Sequence, residues 1–144
     1  LAYGKVDLTM VLNGCLAGLV SITAEPLTPT MSWACFIGGV GGLIVVYGVP
    51  LLDKFRIDDV VGAIPVHLFA GIWGTLAVVF TNSEATFGDQ LYGIIVVGIF
   101  TVVVSGVIWY IIDKIVGIRV SEEAEVEGLD TAELGMDAYP DFSK

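Results

Sequence analysis

Apolar residues run along the chain in long windows that short polar stretches interrupt. Four of these windows contain no charged residue, and they cover residues 8–24, 26–52, 60–83 and 90–112. A helix needs about 20 mostly apolar residues to cross a lipid bilayer. Each window is long enough, although the first one only narrowly. The pattern therefore predicts helices that span a membrane.

The windows place four transmembrane helices and a polar tail. We predict the helices over residues 8–24, 30–52, 60–80 and 88–116. They form a transmembrane region of residues 1–117, and a cytoplasmic tail of residues 118–144 follows it. Any one window taken alone fits a buried helix of a soluble protein, but four in succession would leave such a domain little polar surface. The predicted fold class is an all-α membrane protein with four transmembrane helices.

The composition agrees with this interpretation. Hydrophobic residues make up 56% of the 144 residues and charged residues only 15%, with a mean hydropathy of +0.87. A soluble globular domain is not expected at these values.

A signal peptide is the alternative for the first window, with Lys5 as its basic flank. Asp7 interrupts that flank, and Glu25 and Pro26 follow where a small-residue cleavage site belongs, so we favour a transmembrane helix.

The basic residues indicate the orientation of the chain. With four crossings, all six bases lie on one side, and the opposite loops of residues 25–30 and 81–87 contain none. The six are Lys5, Lys54, Arg56, Lys114, Arg119 and Lys144. The positive-inside rule makes their side cytoplasmic, so both ends of the chain are expected there. The net charge of -10 lies largely in the tail, because residues 121–144 hold eight acids and one lysine.

Small residues suggest that the helices pack closely. Gly14 and Gly18 lie at GxxxG spacing in the first helix, and the second helix contains five glycines. Small residues let helix backbones approach each other in lipid, so we expect neighbours on more than one face.

We interpret Cys15 and Cys35 as small packing residues, because their predicted depths disfavour a disulfide. Since the chain lacks an initiator methionine and enters a span almost at once, we expect it to be the C-terminal portion of a longer polypeptide.

Acidic residues precede the third helix and fill the tail. Asp58 or Asp59, in the short cytoplasmic loop, is placed to cap the N-terminus of that helix, where the helix dipole favours an anion. The tail after Gly117 has no apolar face wide enough to build a core. We therefore expect it to be disordered, or ordered only against another surface.

His67 is the only histidine in the chain, and it lies within the apolar run VGAIPVHLFAGIWG. The residues at helical spacing from it are small or apolar, namely Ala63, Ile64, Ala70, Gly71 and Gly74. Pro65 removes a backbone donor and leaves the carbonyl of Val61 without its helical partner. This combination favours a helix that lines a cavity over one that faces lipid.

Two roles for His67 stay open on the residues alone. One is a single interhelical hydrogen bond; the other is a place in an ion or proton pathway, which intramembrane ionisable groups commonly mark. A neutral imidazole donates with one nitrogen and accepts with the other, so it can pass a proton between them. A metal site is not expected, because no second ligand shares the face of His67. The sequence also lacks the residue constellations of an enzyme.

Three stretches resemble a known family. The run FRIDDVVGAIPVHLFAGIWGTLAV, with NGCLAGLVSITA before it and VGIRVSEEAEVEGLDTAELGMDAY after it, resembles the last four membrane helices and the cytoplasmic tail of Amt/MEP/Rh ammonium transporters of bacterial Amt type. The resemblance covers the whole chain. It implies an eleven-helix fold, built from two inverted five-helix repeats and a long last helix, that assembles as a homotrimer with a pore in each subunit. An N-terminal seven-helix portion of the same protein would precede this chain.

The resemblance also implies roles for residues of the third helix. His67 corresponds to the second pore histidine of the family, which pairs with one on an earlier helix, and Ala63 and Gly71 border the lumen beside it. Ammonium would lose its proton at the outer mouth and cross as ammonia, while the paired imidazoles carry the proton. Potassium has no proton to give up and would be rejected, because an apolar passage is prohibitive for a cation. No enzymatic activity, cofactor, metal or nucleic acid is implied.

The tail matches the family's tail motif at six residues, with Leu134 where a histidine is usual. The six are Gly128, Leu129, Asp130, Gly135, Ala138 and Tyr139. The resemblance implies that the tail packs under the neighbouring subunit and helps a PII-type signalling protein to dock and block the pore. It places the protein in the inner (cytoplasmic) membrane with its C-terminus inside.

Alternatives accompany both assignments. A solvated acidic tail without a partner is the alternative for residues 118–144. For the whole chain, the alternative is a structural or assembly subunit of a multi-protein membrane complex. His67 would then be a packing residue or would lie beside a cofactor such as haem.

Overall fold

The computed structural model describes residues 4, 6–27, 30–138 and 140, and these residues form helices and no strand. In chain order the described helices are α1 (Leu8–Ile22), α2 (Met31–Lys54), α3 (Ile64–Phe80), α4 (Phe87–Ile115), α5 (Glu122–Glu127) and α6 (Leu129–Leu134). Backbone contacts divide the chain into two units, residues 1–97 and residues 98–144. The two units are described separately below.

Three kinds of helix follow one another within α3. The segment Ile64–Phe69 is π-helical, Ala70–Ala77 is α-helical and Val78–Phe80 is 3₁₀-helical. A π-helical turn forms i→i+5 hydrogen bonds and often lies at a functional site. The segment that carries His67 is therefore irregular, which periodicity alone did not indicate.

Two of the helices, α2 with 24 residues and α4 with 29, are long and apolar enough to cross a membrane. The helices α1 and α3 are also apolar but shorter. Each predicted helix has a counterpart, and the ends of α1, α2 and α4 lie within two residues of the prediction. The exception is α3, which begins at Ile64 where the prediction placed residue 60.

The helices α1 and α2 approach each other through glycines, as the sequence indicated. A Cβ atom added at Gly18 would lie 3.5 Å from the carbonyl oxygen of Gly38, and one added at Gly38 would lie 3.5 Å from that of Gly18. One added at Gly42 would lie 3.7 Å from the carbonyl oxygen of Gly14. The pairing runs in opposite directions along the two helices, so they are antiparallel with their backbones nearly in contact.

The helix α3 packs into the pair that α1 and α2 form. A Cβ atom at Gly74 would overlap the backbone of Ser21, and its distance to the Cα atom there would be 2.8 Å. At the other end, a Cβ atom at Gly48 would lie 2.9 Å from Cβ of Pro65. Both distances are shorter than packed side chains tolerate, so only glycine permits this docking.

A small apolar core lies where the three helices meet. It consists of Ala17, Val45, Val66 and Ala70, all at most 2% exposed. Ser21 is buried beside it, and its hydroxyl donates to the carbonyl oxygen of Ala17 at 2.7 Å. This hydrogen bond satisfies the polar group within the helix, as a buried hydroxyl requires.

Aromatic rings fill the space between α2 and the second half of α3. Trp33 stacks on Phe80 with ring centroids 6.2 Å apart, and Phe36 and Trp73 meet edge to face at 6.5 Å. The indole N–H of Trp73 donates to the carbonyl oxygen of Ile37 at 2.9 Å.

Both thiols, of Cys15 and Cys35, are free and exposed in this chain, so the interpretation of these cysteines as packing residues does not hold within it.

In the second unit, the tail is more ordered than the sequence led us to expect. The hydroxyl of Ser121 caps α5 by accepting from the backbone N–H of Ala124 at 3.2 Å. The guanidinium of Arg119 donates to both carboxylate oxygens of Glu125, at 2.8 and 2.7 Å. Such caps and charge-assisted pairs order short helices without an apolar core, which explains why the absence of an apolar face did not forbid structure here.

Candidate functional site

The helix α3 has a packed face and an open face. The packed face consists of Pro65, Val66, Ala70, Gly74 and Ala77, all buried against the rest of the first unit. The open face includes Ala63, His67 and Leu68, and Gly71 lies at its edge, where an added Cβ atom would be 3.8 Å from Cγ1 of Val20. Ala63 and His67 are exposed in this chain, and Gly71 is half-buried. The imidazole therefore points away from the packed helices.

This division corrects the predicted grouping around His67. Helical spacing placed Ala70 and Gly74 on the same face as the imidazole, but the structure buries both of them on the packed face. The reason is the π-helical turn over Ile64–Phe69, in which each residue advances the helix by a smaller angle than in an α-helix. Residues four apart stay aligned in such a turn, and residues three apart do not. Ala63 and Gly71, the two predicted pore neighbours, are four residues before and after His67.

An aspartate caps the entrance to α3, as predicted. The carboxylate of Asp59 accepts from the backbone N–H of Ala63 at 2.8 Å and from that of Ile64 at 2.9 Å. An anion at this position is also favoured by the helix dipole. Its neighbour Asp58 is exposed, so the structure selects one of the two candidates.

The late start of α3 follows from the turn between Asp59 and the helix. Gly62 has φ +72°, a left-handed conformation that a helix interior excludes. Its N–H donates to the carbonyl oxygen of Asp59 at 3.1 Å, so the chain makes a turn before the helix begins. Sequence reasoning took the apolar window as helical from its first residue and therefore placed the start four residues too early.

Asn13 is a polar residue at this entrance that the sequence analysis did not single out. Its side-chain N–H donates to the carbonyl oxygen of Val61 at 2.9 Å. This is the carbonyl that Pro65 was predicted to leave without a helical partner, and the amide of α1 supplies the donor instead. The sequence feature that could have pointed to Asn13 is its amide side chain within an otherwise apolar window.

The open face has a chemistry that follows from its residues. His67 is flanked by small groups, so the imidazole is accessible from a space that the chain does not fill. An imidazole can accept a proton on one nitrogen and release one from the other. Within the part of the chain that the structure describes, no three histidine, cysteine, aspartate or glutamate residues lie close enough to hold a metal ion.

The structure brings part of the predicted tail motif together around Asp130. One carboxylate oxygen of Asp130 accepts from the backbone N–H of Ala138 at 2.8 Å. That hydrogen bond is the main cause that holds the pKa of Asp130 below its ordinary value of 3.8. The bond ties the end of the described tail back to the first turn of α6.

The other residues of the tail motif lie around this contact. Gly128 precedes α6 with φ +102°, and Gly135 ends it with φ +65°. Leu129 is the first residue of α6 and is 43% exposed. Tyr139 lies outside the described residues.

The fold and the site define a class of protein. Apolar helices that pack through glycines and carry an ionisable group on an uncovered face are typical of membrane transport proteins. The chain belongs to the Ammonium Transporter Family, whose family model matches residues 1–139. It is an all-helical membrane protein in the described residues, and members of this family are transporters.

Individual relatives agree with this membership. The ammonium transporter Amt2 of Archaeoglobus fulgidus is 38% identical over 163 aligned positions, which cover 99% of this chain and 35% of the relative. The ammonium transporter Amt1 of Haloferax mediterranei is 38% identical, with 96% of this chain and 28% of the relative covered. Amt2 of Methanocaldococcus jannaschii is 36% identical, with 98% and 36% covered. The chain thus spans about a third of the length of the curated relatives it matches.

Proposed function

We propose that this chain forms part of an ammonium transporter and supplies one wall of its pore. The observation that carries the proposal is the open face of α3, where the only imidazole of the chain is exposed, with a small residue four positions before it and another four positions after it in a packed apolar helix. The names of the relatives supply the substrate. Ammonium is therefore the proposed substrate of the pore that this wall lines.

The mechanism uses the imidazole as a proton carrier. A cation that leaves water for an apolar passage pays a desolvation cost of many kcal/mol, whereas neutral ammonia pays little. Ammonium that loses its proton at the outer mouth enters as ammonia, and His67 passes the proton along the same route. Potassium has no proton to lose, so the apolar passage rejects it.

The small residues on the open face leave room for this passage. Ala63 and Gly71 flank the imidazole one helical repeat away on each side, and neither has a side chain long enough to fill the space in front of the ring. The packed face holds the wall rigid, because glycine contacts fix α3 against α1 and α2. The pore wall thus combines a fixed backbone with a narrow apolar surface.

The remaining walls belong to other helices in this proposal. Four helices α1 to α4 correspond to the last four of the eleven-helix family fold, and an N-terminal seven-helix portion of the same protein completes the pore. The proposal places the protein as a homotrimer in the inner membrane, with the tail in the cytoplasm. Its support is the coverage of about a third of each relative and the location of all six bases on one side of the predicted topology.

The tail has a regulatory role in this proposal. The cap at Ser121, the Arg119–Glu125 pair and the Asp130–Ala138 hydrogen bond give residues 118–138 a defined shape. A defined acidic surface suits recognition by a PII-type signalling protein better than a flexible chain does, because less ordering entropy is lost on binding. A pull-down of the PII-type protein with the complete transporter and with a variant that lacks residues 121–144 tests this. Equal capture by both would overturn the regulatory role.

The central experiment compares His67→Ala with a matched control in the complete transporter. Both proteins are reconstituted in proteoliposomes, and the ammonium-evoked current and internal pH change are recorded. The control is Leu68→Ala, since Leu68 is the next residue along, is also exposed, and carries no ionisable group. We expect His67→Ala to lose transport or its selectivity against potassium, and Leu68→Ala to retain both.

The opposite result would exclude the proposed mechanism. If His67→Ala transports ammonium at the normal rate and still rejects potassium, the imidazole is only a packed polar residue. Absence of ammonium transport by the unmutated protein would instead favour a structural or assembly subunit of a membrane complex. A Soret band in the purified material would then identify haem as the neighbouring cofactor.

A further inference from the structure

A single amide links α1 to the turn before α3. Asn13 is half-buried in α1, and its side-chain N–H donates to the carbonyl oxygen of Val61 at 2.9 Å, across 48 positions of sequence. It is a polar contact in a region where α1, α2 and α3 pack mainly through apolar and small residues. A directed hydrogen bond fixes orientation in a way that apolar contacts do not.

The turn that Asn13 contacts has few other means to hold its shape. Residue 65 is a proline and has no N–H to offer the carbonyl of Val61. The neighbouring backbone bonds run from Gly62 to Asp59 at 3.1 Å and from Val66 to Gly62 at 3.1 Å. Val61 lies within the turn that the first of these bonds closes, and Asn13 donates to its carbonyl oxygen.

The fit between Asn13 and the turn is close. A Cβ atom added at Gly62 would lie 2.8 Å from the side-chain nitrogen of Asn13. The backbone of Gly62 is therefore covered by the amide at a residue that has a left-handed conformation. Position 62 must be glycine both for its conformation and for the contact with Asn13.

The turn is followed at once by the segment that carries His67. Asp59 holds the N–H groups of Ala63 and Ile64, and Asn13 holds Val61 on the other side of Gly62. These two side chains bracket the turn. The π-helical segment Ile64–Phe69, which carries His67, starts directly after this turn.

We propose that Asn13 is a positioning residue for His67. Its amide fixes the turn at Val61 and Gly62, and this sets the rotation of the π-helical segment and the direction in which the imidazole projects. The functional part of this inference rests on the proposed transport role of His67. The side chain of Asn13 contacts the turn at Val61 and Gly62, and it acts on His67 through that turn.

The test uses the complete transporter with Asn13→Leu, which keeps the side-chain size and removes the donor. Asn13→Gln retains an amide and serves as the conservative rescue. The matched control is Asn82→Leu, because the side-chain N–H of Asn82 donates to Glu25 at 3.3 Å and not to the entrance of α3. All variants are first checked for folding and assembly by size-exclusion chromatography.

Two readouts separate positioning from a general structural role. The first is the rate at which diethylpyrocarbonate modifies His67, followed by peptide mass spectrometry, which reports the exposure of the imidazole whether or not the protein transports. The second is the ammonium-evoked current and its ratio to that with potassium. A displacement of about 1 Å in a reactive group can cost on the order of a hundredfold in rate, so we expect the ammonium-evoked current of Asn13→Leu to fall by about tenfold or more.

The outcomes are distinguishable. A changed modification rate at His67 with reduced selectivity in Asn13→Leu, recovery in Asn13→Gln and normal behaviour of Asn82→Leu would support the inference. An unchanged modification rate in folded Asn13→Leu would overturn it. If the unmutated protein does not transport ammonium, the proposed function fails, and the modification rate alone still decides whether Asn13 orients the imidazole.

Discussion

The three-helix part of the first unit and the tail are held together by opposite means. In the first, α1, α2 and α3 meet through glycines and a core of four small or β-branched residues. In the tail, α5 and α6 bury no residue, and a few polar contacts such as Asp130 with Ala138 give them shape. The first arrangement is sensitive to added volume, and the second is sensitive to charge and pH.

This contrast matches what each solvent permits. Lipid gives apolar side chains no reason to prefer a protein neighbour, so helices in a membrane are held by close packing of small residues. In water a short acidic segment cannot build a core, but caps and charge-assisted hydrogen bonds are available to it. Substitutions that change volume should therefore affect the first unit strongly, and those that change charge should affect the tail more weakly.

The largest effect is expected from added volume at the contact between α3 and α1. Gly74→Ala places a Cβ atom into the backbone of Ser21, and we expect a loss of about 3 kcal/mol from overpacking. Thermal unfolding of the complete transporter in detergent measures this. The control is Gly39→Ala, where a Cβ atom meets nothing within 4 Å in this chain. Equal stability of the two variants would contradict close packing at Gly74.

A smaller loss is expected at the turn before α3. Gly62→Ala forces a side chain into a left-handed conformation at φ +72°, which costs about 2 kcal/mol, and it also crowds Asn13. Gly117→Ala is the control, because its φ of +78° is similar but nothing lies within 4 Å of an added Cβ atom. If Gly62→Ala destabilises no more than Gly117→Ala, the contact with Asn13 contributes nothing.

Loss of the Asp59 cap at the entrance of α3 should reduce the stability by less than either glycine substitution. Asp59→Ala removes the acceptor of two backbone N–H groups, and a lost N-cap costs about 1 kcal/mol. Hydrogen exchange at the amides of Ala63 and Ile64 should accelerate. Asp58→Ala, the adjacent exposed carboxylate, provides the comparison and should leave both amides protected. Faster exchange in both variants would mean that the loop charge, not the cap, protects this turn.

The smallest effect is expected in the tail, and it depends on pH. The pKa of Asp130 is lowered mainly by the N–H of Ala138, so the ionised form is favoured in the folded tail. Its contribution is present above the ordinary value of 3.8 and is lost as the pH falls through the lowered pKa. The amide ¹⁵N shift of Ala138 should therefore stay constant near neutral pH and move only in acid. Glu133→Gln should not alter this titration, whereas Asp130→Asn should abolish it.

Much of the fold could be predicted because apolar length and helical periodicity are local properties. The positions of α1, α2 and α4, the glycine contacts at Gly18 and the cap at Asp59 all followed from short stretches of sequence. The start of α3 was wrong because Gly62 turns the chain inside an apolar window. Hydropathy does not distinguish a helical glycine from one in a left-handed turn.

The candidate site was harder to predict than the fold. His67, Ala63 and Gly71 were assigned to one face, and their shared pore role stays a prediction: His67 and Ala63 are exposed, and Gly71 is half-buried. The assignment of Ala70 and Gly74 to the same face was wrong because the segment is π-helical. The role of Asn13 depends on a contact 48 residues away, which no local pattern shows. The tail helices were missed because they are stabilised by individual polar pairs and not by an apolar face.

The π-helical turn has a consequence for how the gene can change. An i→i+5 turn contains one residue more than an α-helical turn over the same height. Deletion of one residue from Ile64–Phe69 would convert the segment to regular α-helix with little rotation of the two ends of α3 against each other, so the glycine contact at Gly74 would be kept. The same deletion from a regular α-helix such as α2 would rotate its two ends by about 100°. Single-residue deletions should therefore be better tolerated within this segment than within α2, although both change hydropathy equally little.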